Sequence, residues 1–282
     1  MHAMSFVLSS LPQTWPWLIL MAALAAGWSG QRGLAFALLA VFGGVALALG
    51  HLEPIALMAL ATGLRFAAFI PRTRGPARLI GHAVLVLWSL ALGAHLLPGV
   101  RNLLILDQVQ AGPASAPYSL HLNLDKPLVV FALLLAWPAL LQRNDPAGRR
   151  ALISGLLILA ALLPLALLTG ALELEPSLPD WLLLWMASNL LLTCLAEEAF
   201  FRGYLQHGLS RRFGPAAGIA AASLLFGLAH IGAGPAVAAF AALLGLACGL
   251  GYWGAGRFYV PVAMHFAFNL THLLLFTYPG PA

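Results

Sequence analysis

Residues 193–206 read TCLAEEAFFRGYLQ, with two adjacent glutamates, Glu197 and Glu198, and an arginine, Arg202. They lie inside a long apolar run, Trp181–Leu209. What that run is decides the fold. In a soluble domain three such charges would be ordinary surface residues. The whole chain, however, is 61% hydrophobic and 8% charged, with a mean hydropathy of +0.91. Soluble domains carry roughly 25% charged residues. The composition therefore points to an integral membrane protein, with the three charges at membrane depth.

Working outward, ten apolar runs read as candidate spans: Trp15–Gly30, Gly33–His51, Pro54–Ile70, Leu79–Leu97, Pro127–Leu141, Ala151–Ala171, Trp181–Leu209, Gly214–Ile231, Pro235–Trp253 and Phe258–Phe276. Runs near 20 residues fit helices; outer-membrane strands give alternating segments of about ten. The expected fold class is all-α, a polytopic transmembrane helical bundle of about eight to ten spans. The first run has no Lys or Arg before it, so it reads as a retained span, not as a signal peptide.

Loop charge alternates along the chain. Arg32, then Arg72, Arg74 and Arg78, then Arg143, Arg149 and Arg150, then Arg211 and Arg212, then Arg257 mark one side. The intervening loops hold only Arg101 and Lys126. This bias places the basic loops in the cytoplasm and supports ten crossings. It assigns the chain to a membrane, expected to be a bacterial inner (plasma) membrane, and away from nucleic acid. The run with Arg65 could instead be a shorter re-entrant piece. The stretch 98–126, with its AGPASAPYS segment, reads as an exposed connection. QRNDPAGRR, residues 142–150, divides an N-terminal region, 1–150, from a C-terminal one, 151–282. Cys194 and Cys248 both sit in apolar runs and indicate no disulfide framework.

An ionisable group in the hydrocarbon core costs several kcal/mol, so intramembrane charges are functional candidates. Of nine acidic residues, only Glu197 and Glu198 are well inside a span. Glu198 and Arg202 are four apart and stack on a helix, where they neutralise each other. Glu197 lies about 100° round from Glu198 and needs another partner. Phe226 with His230, and His265 with Asn269, are each four apart in later runs and supply candidates. His272 reads as structural or interfacial, and no spacing in the sequence suggests a partner for His51, His82, His95 or His207. The Gly245–Gly249 pair reads as close helix packing. There is no HExxH, no intramembrane aspartate pair and no nucleophile elbow.

The order EExxxR, FxxxH, HxxxN resembles the CAAX-protease and bacteriocin-processing family of intramembrane proteases, over about Trp181 to Phe276. The resemblance implies an intramembrane catalytic cavity in the C-terminal half, and an endopeptidase whose partner is a membrane-associated protein or peptide substrate in the lipid bilayer. It implies Glu197 as the general base for a water that His230 helps to bind. It implies His265 and Asn269 as oxyanion donors, with Glu198, Arg202 and Phe226 in support. No cofactor is favoured. A divalent metal such as zinc, on Glu197, His230 and His265, stays open, since it activates water equally well. A catalytically silent immunity or scaffold protein and a proton-coupled transporter are the other readings. One geometric tension remains. Counting ~1.5 Å per residue from the basic end puts Glu197 near 20 Å, His265 near 12 Å and His230 near 26 Å. Convergence requires tilt or a protruding Glu helix.

Overall fold

A computed structural model describes residues 2–282, with side chains from Phe6 onward. The chain is an all-α helical membrane protein. Its helices are α1 (His2–Trp28), α2 (Arg32–Ala48), α3 (Pro54–Phe69), α4 (Gly75–Gly93), α5 (Leu128–Ala136), α6 (Arg149–Leu168), α7 (Leu182–Phe213), α8 (Pro215–Leu228), α9 (Pro235–Ala255) and α10 (Tyr259–Leu275). Among the described residues six segments are long and apolar enough to cross a bilayer, and α2, α8 and α10 are shorter apolar helices.

The remaining run departs from expectation. Pro127–Leu141 forms a helix of only nine residues, α5. At ~1.5 Å per residue it is too short for a ~30 Å hydrocarbon core. Pro138 explains its end, because a proline disfavours helical backbone at the residue before it. Trp137 accordingly turns out of the helix at φ −134°. Eight of the nine residues are buried. A helix apolar all round belongs inside a protein. The Arg65 run, by contrast, is a 19-residue segment, Pro54–Arg72, of spanning length. The stretch read as an exposed connection contains a two-stranded hairpin, β1 (Leu103–Val109) with β2 (Tyr118–Leu122).

Contacts divide the chain into two units interleaved in sequence. The first holds residues 1–107, 119–140 and 180–196. Within it α1 packs on α2, with Trp17 edge-on to Phe42 and His51 at 6.4 and 4.8 Å between ring centroids. Its polar loops are fastened by Asp125, whose buried carboxylate accepts hydrogen bonds from His95 Nδ1 at 2.8 Å and Asn102 Nδ2 at 3.2 Å. His95 thus has a partner that the sequence does not reveal, 30 residues away.

The second unit holds residues 108–118, 141–179 and 197–282. Small residues let its helices approach closely. A Cβ built on Gly155 of α6 would lie 2.6 Å from the Ala247 carbonyl of α9. One at Gly245 would lie 3.1 Å from Ser223 Cα of α8 and 3.2 Å from Arg202 Nη2. Gly245→Ala is therefore expected to cost about 1–3 kcal/mol, as overpacking does. Thermal unfolding of the purified protein measures it, and an unchanged transition would contradict the packing. At the far end from the basic loops, the Glu175 carboxylate accepts the Ala114 N–H at 2.6 Å and the Ser115 hydroxyl, joining 108–118 to the segment before α7. The Tyr278 N–H donates to Ser115 Oγ at 2.9 Å and ties in the C-terminal tail.

Candidate active site

The site grows from α7, a 32-residue helix about 48 Å long. It is not a regular α-helix. Asn189–Cys194 and Ala199–Gln206 are π-helical, and only four α-helical residues, Leu195–Glu198, lie between them. Wide π turns occur mostly where function requires a side chain to be re-aimed. Here they bracket the two glutamates. Every residue from Glu198 to Tyr204 is buried.

The two acids differ in surroundings. The Glu198 side chain is 0% exposed and the Glu197 side chain 12%. Glu198 Oε2 lies 3.1 Å from Arg202 Nε. That pairing is electrostatic, because the N–H is not aligned for a hydrogen bond and Arg202 Nε and Nη1 have no such partner among the described residues. The guanidinium is held otherwise. Its Nη2 donates to the Gly245 carbonyl at 3.0 Å, and its Cζ sits 4.6 Å from the Phe226 ring centroid. A desolvated cation on an aromatic face contributes about 2 kcal/mol.

Glu198 has a second partner that helix spacing alone does not suggest. Its Oε1 is 2.8 Å from His265 Nδ1 of α10. With Nδ1–H donated to a carboxylate, Nε2 is the ring atom left to act, and it lies 3.9 Å from Glu197 Oε2. Glu198 thus holds the imidazole by one nitrogen, and Glu197 stands near the other. Arg202 balances the buried carboxylate, so Glu198 can orient His265 without remaining an uncompensated charge.

His230 stands just past the end of α8. Its Nδ1–H donates to the Phe226 carbonyl at 2.8 Å, which again leaves Nε2 to act. Phe226 is the centre of the group. It is fully buried, with His230 at 4.8 Å, His265 at 5.6 Å and Phe201 at 5.0 Å between centroids. The depth mismatch expected between the two histidines is thereby resolved. α8 is short, with 14 residues, and α7 is long. Asn269 lies one turn beyond His265 on α10 and is half-buried.

Gln206 is a site neighbour that sequence reading passed over. It continues the row Glu198, Arg202, Gln206 and donates from Nε2 to the Gly249 carbonyl at 2.9 Å. Arg202 and Gln206 therefore land on Gly245 and Gly249 in register. The GxxxG pair serves packing and also offers two bare carbonyls to α7. The signal was the four-residue spacing on both helices. For a metal, Glu197, His230 and His265 would have to converge as ligands. Among the described residues no three His, Cys, Asp or Glu side chains are placed to hold an ion.

Apolar helices thus enclose one buried carboxylate–imidazole–guanidinium cluster. Residues 179–271 match the family described as type II CAAX prenyl endopeptidase Rce1-like, and the match supports the CAAX-protease and bacteriocin-processing family. It covers about a third of the chain and includes Glu197, Glu198, Arg202, Phe226, His230, His265 and Asn269. It supports a CAAX-protease type of function in general within an integral membrane protein. Comparison with curated proteins and with solved structures gives no match.

Proposed function

We propose that the protein is an intramembrane endopeptidase that hydrolyses a peptide bond of a membrane-associated protein or peptide by glutamate-activated water. The observation that carries this reading is the asymmetry of the acid pair. Glu198 is sealed between Arg202 and His265, whereas Glu197 keeps a partly exposed carboxylate with His265 Nε2 at 3.9 Å.

The chain's own residues supply each step. The Glu197 carboxylate removes a proton from water, and the hydroxide attacks the scissile carbonyl carbon. His230 Nε2 accepts a hydrogen bond from that water and orients it. As the tetrahedral intermediate forms, its oxyanion takes hydrogen bonds from the Asn269 amide and from the His265 ring. The proton on Glu197 then passes to the departing amide nitrogen, and the C–N bond breaks. The low-dielectric surroundings strengthen each of these interactions. No metal takes part in this scheme. The protein would work in a bacterial inner membrane with its basic loops in the cytoplasm.

The test is cleavage of a membrane-anchored reporter peptide by the purified protein in proteoliposomes. His265→Ala and His230→Ala are each expected to lower kcat by about 10²–10³-fold, the usual effect of removing one such contact, while the protein still accumulates. Undiminished cleavage by His265→Ala would overturn its role. Activity lost to a chelator and regained with zinc would overturn the metal-free scheme.

A further inference from the structure

The second unit has a cavity of about 190 Å³ that the proposed hydrolysis does not use. It lies at the basic-loop end, one helical turn and more beyond Arg202. Asp145 of the segment before α6, Gln206, His207 and Arg211 of α7, and Tyr252 and Trp253 of α9 line it. The space is on the order of six water volumes, which suits a small polar group.

Its walls are built in advance. Asn144 Nδ2 donates to the Tyr252 hydroxyl at 2.7 Å, and the Asn144 N–H to the Gly256 carbonyl at 2.9 Å. The Ala147 N–H reaches the Trp253 carbonyl at 3.0 Å. Asp145 is therefore held beside the end of α9 by backbone bonds on both sides of it.

The charges are of two signs. Asp145 is the one acid in QRNDPAGRR, a segment with three arginines. Arg211 faces the same space from α7, with the imidazole of His207 one turn earlier. A simple anion would suit Arg211 but meet Asp145. A simple cation would have the converse difficulty. A group with a phosphate at one end and an N–H-bearing ammonium at the other satisfies both.

The level in the membrane names the source. Trp253 is 40% exposed and Phe213, directly after Arg212, is 62% exposed. Tryptophans gather at headgroup depth on both faces of a membrane, and arginines on the positive-inside face. An acyl chain can lie along the exposed Phe213 and Trp253 while the headgroup enters the cavity.

We propose that this cavity binds the headgroup of a phospholipid carrying a primary ammonium. Arg211, with His207 one turn away, takes the phosphate. Asp145 accepts the ammonium hydrogens. The assignment is independent of the cleavage chemistry.

The test is native mass spectrometry of the full-length protein exchanged into mixed micelles with phosphatidylethanolamine or phosphatidylcholine of identical acyl chains. The trimethylammonium of phosphatidylcholine has no N–H to donate. Retention of phosphatidylethanolamine is expected to exceed that of phosphatidylcholine roughly tenfold, the size of one charge-assisted hydrogen bond. Asp145→Asn should level the two lipids, Asp145→Glu should keep the preference, and Arg211→Gln should weaken both. Asp145 is exposed on a loop, and an unchanged thermal transition confirms that each variant is folded. Equal retention by the unaltered protein, or a preference that survives Asp145→Asn, would overturn the proposal. Free phosphoethanolamine displacing the lipid at equal concentration would overturn the lipid source and assign the cavity to a soluble phosphate ester.

Discussion

Glu197→Gln is expected to lower peptide cleavage by at least about 10²–10⁴-fold, the usual contribution of a positioned general base, and to leave the folded protein in the membrane at its ordinary level. Two observations make this the cleanest substitution in the chain. The Glu197 side chain is the less enclosed of the pair, so an amide of the same shape adds no buried unpaired charge. Its neighbour, not Glu197 itself, carries the contact to Arg202. The measurement is a time course of reporter cleavage together with thermal unfolding of the same preparation. Cleavage within tenfold of the unaltered protein would remove Glu197 from the mechanism. Collapse of folding would show that it serves structure instead.

Arg202→Leu should do the opposite, with the largest effect on stability of any change considered. Removing one partner of a buried ion pair costs about 3–5 kcal/mol, because the other charge remains in a low-dielectric interior. Here Glu198 would be left with His265 alone, and the Gly245 carbonyl would lose its donor. The protein is expected to accumulate poorly. Adding Glu198→Gln should recover most of that loss, since a neutral amide still accepts the His265 Nδ1–H and requires no counter-charge. Unfolding of the single and double variants in detergent decides the matter. A single variant as stable as the parent, or a double variant no better than the single, would contradict the account.

How far the chain could be read beforehand follows from what each feature depends on. Charge is scarce in this sequence, so Glu197, Glu198 and Arg202 stand out without any structure. His230, His265 and Asn269 are legible through their four-residue spacings. The Glu198–His265 contact joins residues 67 apart, and nothing local encodes it. The π turns are equally hidden, because Leu, Ala and Phe fill wide and ordinary turns alike. The apolar run of α5 has the look of a span; Pro138 is visible in the sequence, yet its consequence depends on the buried setting of the short helix before it. The hairpin eluded reading because seven- and five-residue strands leave little pattern in a stretch rich in Pro, Ser and Gly.

The wide turns of α7 have a consequence for how sequences of this kind are compared. Each π turn closes its hydrogen bond over one residue more than an α turn does. Wide turns flank Leu195–Glu198 on both sides, so a relative lacking either one would carry the acid pair one position out of step with the flanking helix. A gap of a single residue inside a transmembrane helix is normally penalised as an error. In this helix it would be a legitimate difference, and the acid pair itself, with Arg202 four places on, is the safer anchor for alignment.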